Sequence, residues 1–287
     1  MLRLSWNSSA ATGAMAAAVS DGKAPAKSSG LKLRILSAAV MLPVAVAATW
    51  LGSWFFAALV ALAGVAMLWE WGRLPGNLAM NVVVSGSLAF VAGLYLCLSS
   101  NPAAGFGLVV VMAPVVALLQ RERFIWHAIG FIYIAIPCLA LLWLREAAAN
   151  GLLIVFWLLV VVWATDIGAY FAGRAIGGPK LIPRISPNKT WAGLFGGMAA
   201  AGIAGGLMAR FDPQLPALGL ALFGAVLAVV AQAGDFAESA VKRRCGVKDS
   251  SHLIPGHGGV LDRVDGLLFA APVAALALLL WQDKLWP

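Results

Sequence analysis

Nine apolar runs, each close to the length of a membrane-crossing helix and separated by short polar segments, leave this chain few ways to fold. They fall at about 35–51, 53–71, 78–99, 105–120, 128–144, 151–172, 190–209, 217–238 and 259–281. A helix needs roughly 20 residues to cross a bilayer. In lipid every backbone polar group has to be satisfied within the protein, so runs of this length read as helices. Composition agrees: the chain is 62% hydrophobic and 11% charged, against roughly 45–50% and 25% in a soluble domain. The expected fold class is all-α, a polytopic integral membrane protein with about nine transmembrane helices. No loop is long enough for a separate nucleotide-binding domain, so any site has to be built from helix ends and short loops.

The sequence divides into an Ala-, Ser- and Gly-rich extension over residues 1–30, N-terminal membrane helices over 31–150 and a polar-motif-bearing half over 151–287. The extension has no long apolar core, so it reads as disordered rather than as a signal peptide. Charge sets the orientation. With the N-terminus in the cytoplasm, only Arg145, Arg210 and Lys284 of the lysines and arginines fall outside. The expected location is the inner (plasma) membrane, multi-pass, with both motif-bearing loops on the cytoplasmic side. The net charge of +8 then reflects this asymmetry and anionic headgroups, not nucleic acid. Three cysteines are scattered, with neither metal spacing nor a disulfide framework.

The first five runs carry little chemistry. Pro43, Pro114 and Pro137 are expected to kink their helices, Trp69, Glu70 and Trp71 read as an interfacial belt, and Glu70, Glu122 and His127 read as solvated charges at span ends. The later runs differ. Asp166 lies near the cytoplasmic end of its run, with Tyr170 at i+4 and Gly173 a turn further on the same face. The loop 173–190 turns at Gly177 and Gly178. It then places Ser186, Asn188, Lys189 and Thr190 directly before the next run, where Thr190 or Asn188 can cap the helix. A helix start with free N–H groups beside a lysine is a ready anion site. Asp235, Glu238, Ser239 and Lys242 fall at i, i+3, i+4 and i+7, one polar stripe in an apolar span. Asp262 and Asp265 share a face of the last span, and His257 lies between two glycines in the loop before it. Charges at a membrane boundary are functional candidates by default. Carboxylates converging from two helices are hard oxygen ligands that suit Mg²⁺, completed by waters and phosphates.

Several classes are excluded. There is no GxxxxGK[ST] loop, no Cys/His cluster with zinc spacing and no nucleophile elbow. An ion-coupled transporter remains an alternative; it would carry its polar residues and broken helices at the midplane, with internal repeats, whereas here the charges gather at one boundary and no repeat is visible. Another Mg²⁺-dependent membrane phosphotransferase acting on a lipid phosphate fits the carboxylates and basic loops equally well.

The stretch from Ser239 to Asp265, SAVKRRCGVKDSSHLIPGHGGVLDRVD, resembles the signature of the phosphatidate cytidylyltransferases, the CDP-diacylglycerol synthases, with no departure across it. SPNKTWAG at 186–193 and GDFAES at 234–239 are similar to the same family. The resemblance is specific over about 155–277 and rests on hydrophobicity before that. It implies that CTP and phosphatidate give CDP-diacylglycerol and pyrophosphate in a lipid bilayer, with Mg²⁺ and a monovalent cation such as K⁺; a homodimer is compatible with it. On that reading Asp235, Lys242, Lys248, Asp262 and Arg263 are catalytic. Ser186, Asn188, Lys189, Thr190, Ser239, Arg243 and His257 bind substrate, and Asp235, Asp262, Asp265 and Asp166 hold the metal. The acceptor phosphate is already a nucleophile, so catalysis reduces to positioning and charge neutralisation.

Overall fold

A computed structural model of the chain describes residues 27–99, 101–146, 150–212 and 214–285. Of the segment read as a disordered extension, residues 1–26 lie outside the described residues, and residues 27–30 are the first turn of a helix. The described helices are α1 (Lys27–Leu51), α2 (Ser53–Arg73), α3 (Met80–Leu98), α4 (Pro102–Leu118), α5 (Phe124–Glu146), α6 (Gly151–Ile176), α7 (Trp191–Leu207), α8 (Ala217–Arg244) and α9 (Leu261–Leu285). Each stands where an apolar run was read. Seven are long and apolar enough to cross a membrane; the apolar stretches of α1 and α4, Ile35–Leu51 and Pro102–Leu118, are shorter. Pro43, Pro114 and Pro137 each lie inside a helix that continues through them.

Two features depart from the reading of the sequence. The loop after α6 folds into a small antiparallel hairpin, β1 (Lys180–Ile182) with β2 (Ser186–Thr190), entered through positive φ at Gly177 and Gly178. The other departure is in α8, which runs to Arg244, beyond the boundary expected at 238. Val241 keeps contact with the apolar core, and Lys242 bonds Glu238 one turn back, so the polar stripe stays helical. Lys242, Arg243 and Arg244 end up in the last turn, where cations complement the helix dipole.

Helices α3, α4 and α5 pack in succession, with α2 against α3 and α5. A second succession runs α6, α7, α8, α9, and α9 lies back on α5 to join the two. The first group packs large side chains: Phe90, Leu139, Leu142 and Leu144 are fully buried. The second packs backbones. Gly193, Gly197, Ala201 and Gly205 form a buried stripe along α7. A Cβ added at Gly168 of α6 would lie 2.6 Å from the Gly196 carbonyl oxygen. Small residues give this close approach in lipid, where no hydrophobic force drives helices together.

The helix ends sort into two boundaries. At one, Arg145 at the end of α5 donates to the carbonyls of Thr49 (2.7 Å) and Trp50 (3.2 Å) at the end of α1, and Glu146 accepts from the Ser53 amide of α2 (2.6 Å). At the other, the end of α2 meets the start of α5. Here Trp71 and Trp126 stack with ring centres 4.7 Å apart, and each indole N–H donates to the other's carbonyl. Trp71 is therefore buried rather than part of an interfacial belt, and His127 is buried rather than a solvated charge, paired with Gln120.

Candidate active site

The second boundary is where the polar stripe of α8, the hairpin and the start of α9 come together. Thr190 ends β2 and caps α7, its hydroxyl accepting from the Gly193 amide at 3.1 Å; of the two capping residues considered, the structure uses Thr190. The residue before it, Lys189, forms an ion pair with Asp235 of α8 and lies 4.8 Å from the centre of the Phe236 ring. The two motif-bearing segments thus meet through opposite charges. Asp235 also accepts from the Ser239 hydroxyl at 3.2 Å, across one helical turn.

One turn further, the Lys242 ammonium donates to Glu238 Oε2 (2.9 Å) and to Asp262 Oδ1 of α9 (2.6 Å). This bridge ties α8 to α9. It depends on close helix contact, since a Cβ at Gly234 would lie 2.6 Å from the Asp265 carbonyl oxygen. The other oxygen of Asp262 accepts from the Ser250 amide (2.9 Å), the Ser250 hydroxyl (2.9 Å) and the Gly259 amide (2.8 Å). Asp265 accepts from the Gly266 amide and lies within electrostatic reach of Asp235, Glu238 and Asp166. Asp166 is exposed, within reach of Lys189 and of the exposed Arg263.

Arg243, Lys248 and Asn188 are exposed and Ser186 is half-buried. His257 turns towards α1, its Nδ1 2.6 Å from the Ser37 hydroxyl. Asp235 and Asp262, expected to converge on one cation, each face a lysine instead. Among the described residues no three acidic, His or Cys side chains are gathered as a metal cage. The donor chemistry nonetheless fits a divalent cation. Hard carboxylate oxygens already accept positive charge from Lys189 and Lys242. Glu238 Oε1 is buried with no hydrogen-bond partner, an uncompensated state that a carboxylate rarely tolerates.

Two residues escaped the sequence reading. Glu238 was placed in the stripe but given no role. Glu70, read as a solvated interfacial charge, is fully buried. It accepts from the Ser251 hydroxyl (2.6 Å), the Val260 amide (2.8 Å), the Leu261 amide (2.8 Å) and the Ser250 hydroxyl (3.2 Å). The physical reason is that the loop before α9 folds down on it. Gly259 approaches so closely that a Cβ there would lie 1.9 Å from Ser250 Oγ and 2.6 Å from Glu70 Oε1. On the loop's other side a groove of about 480 Å³ opens between Trp69, Arg73 and residues 249–253; none of the carboxylates of the ion-paired cluster lines it.

Helices of membrane-crossing length, with ion-paired carboxylates and lysines gathered at one end of the bundle, define a polytopic membrane protein with a charged cluster at one boundary. A model of the cytidylyltransferase family matches residues 32–281. A relative from Pseudomonas aeruginosa is 43% identical over 268 residues, covering 88% of this chain and 97% of its own length. One from Brucella suis biovar 1 is 41% identical over 252 residues, 86% and 93%, and one from Haemophilus influenzae is 34% identical over 278 residues, 84% and 96%. All three are named phosphatidate cytidylyltransferase. The chain belongs to the cytidylyltransferase family.

Proposed function

We propose that this enzyme transfers the cytidylyl group of CTP to phosphatidate, giving CDP-diacylglycerol and pyrophosphate for phospholipid synthesis. The observation that carries the reading is the meeting of the two motif-bearing segments at one end of the bundle, Lys189 on Asp235 and Lys242 on Asp262. An oxygen of the lipid phosphate attacks the α-phosphorus of CTP. The new P–O bond forms as the bond to the bridging oxygen of the β-phosphate breaks, and pyrophosphate leaves with that electron pair. The phosphate is already ionised, so no side-chain base is needed, and the protein's task is to align the two phosphates and offset their charge.

Asp235 and Asp262, with Asp265 and Asp166 beside them, are the residues that would hold Mg²⁺, and the ion when bound neutralises the triphosphate and the leaving pyrophosphate; a monovalent cation such as K⁺ belongs to the same reading. Lys189 and Lys242, which hold those carboxylates here, are the cations that would face phosphate oxygens. Lys248, Arg243 and Arg263 add positive charge at the rim, and Ser186, Asn188, Thr190, Ser239 and His257 complete the wall. A bundle end suits one substrate from water and one from lipid.

The test is an assay of the purified chain in detergent with labelled CTP and phosphatidate. Label is expected in the lipid and pyrophosphate in equal amount, both abolished by chelating Mg²⁺. Label that never enters the lipid sinks the reading. The cytoplasmic placement of the site in the plasma membrane has its own test. With the N-terminus inside and nine helices crossing, a reporter fused after Pro287 should be active only on the outer side; cytoplasmic activity reverses the assignment.

A further inference from the structure

We infer that Glu70, a residue of the N-terminal helices, is a positioning residue that sets the loop before α9 and, through it, the orientation of Asp262. Its four partners are two serine hydroxyls and the two backbone amides that open α9. Those amides are among the groups that a helix start leaves without intrahelical partners. Among the described residues no cation lies within ion-pairing distance of Glu70, so its charge is held by these donors and by the positive end of the helix dipole. The Ser250 hydroxyl has a single proton and lies within bonding distance of both Glu70 Oε2 (3.2 Å) and Asp262 Oδ2 (2.9 Å). Two carboxylates from opposite ends of the chain therefore grip the same loop from two sides. Asp262 belongs to the first turn of α9, so a shift of that turn moves its carboxylate and strains the bridge to Lys242.

Glu70→Gln tests this. Each oxygen of Glu70 faces one backbone N–H, Val260 on one side and Leu261 on the other. Whichever way the amide lies, its NH₂ opposes a donor. The full-length variant in detergent is compared with wild type by amide hydrogen exchange over 249–261 and by steady-state kinetics. Exchange at Val260 and Leu261 is expected to rise about tenfold or more, the effect of losing one charged hydrogen bond. The kcat per folded molecule should fall about 100-fold, the scale of a misplacement near 1 Å, with the KM for CTP little changed. A purely structural role predicts lower folded yield with wild-type kcat and overturns the inference, as does unchanged exchange. If Glu70→Gln does not fold, Ser251→Ala removes one donor and should give the same pattern at about tenfold; wild-type exchange and kcat in that variant also overturn it. The kinetic arm rests on the cytidylyl-transfer reading. Should wild type transfer no label, that reading fails and exchange alone decides the role of Glu70.

Discussion

Replacing Asp235 or Asp262 by Asn should lower turnover by roughly 10³-fold or more, the scale of removing one electrostatic element of catalysis. The two variants should differ in stability. Asp235 is partly open, its side chain 33% exposed, and among the described residues it accepts from Lys189 and the Ser239 hydroxyl alone. Its Asn variant should melt close to wild type. The Asp262 side chain is 4% exposed and accepts from Lys242 and three donors of the loop; an amide there turns an NH₂ towards donors and should lower the melting temperature as well. If both carboxylates act through one ion, the double variant should be little slower than either single, and both singles should need more Mg²⁺. Losses that multiply, with Mg²⁺ titrations unchanged, would show that the two do not share a cation.

The second large effect is on stability. Lys242→Met leaves Glu238 and Asp262 facing each other without the ammonium that bridges them at 2.9 and 2.6 Å. Glu238 is fully buried and already has one oxygen without a partner. Removing one member of such a buried group costs about 3–5 kcal/mol. Adding Glu238→Gln to Lys242→Met removes one of the stranded charges and should recover more than half of that loss. Thermal unfolding in detergent measures both. A Lys242→Met variant that melts with wild type would mean that water reaches the pair and the bridge carries little.

The helices were legible because each is an apolar run of near-spanning length, bounded by charges or by Gly, Ser, Asn and Pro as at Gly52–Ser53 and Ser99–Pro102. The stripe of α8 was legible from its spacing, and a cap at Thr190 or Asn188 was legible too, of which the structure uses Thr190. What the sequence concealed was long-range. Glu70 stands three residues before Arg73, the spacing of a surface ion pair on a helix. The structure instead lays Arg73 over the Trp69 ring, 4.4 Å from its centre, and turns Glu70 inward to partners 180 to 191 residues away. No local pattern reports such a contact. The expected convergence of Asp235 and Asp262 rested on two helix ends meeting; the structure joins α8 to α9 through Lys242 on Asp262 and pairs Asp235 with Lys189. The intervening lysines were not foreseen because Lys189 arrives from a hairpin that an all-helical reading left as loop.

The partners of Glu70 also fix an order of events during synthesis. The Val260 amide lies 190 residues downstream. At ribosomal rates of about 5–20 residues per second the carboxylate on α2 therefore waits roughly 10–40 s for it. During that interval the carboxylate lacks its native partners, and α5 lacks the neighbour that α9 later supplies. A chain that stops short of α9 never gains the Val260 and Leu261 amides as donors to that carboxylate. The fold of the early helices is thus completed by the last segment to be made, which supplies both the donors for Glu70 and the neighbour of α5.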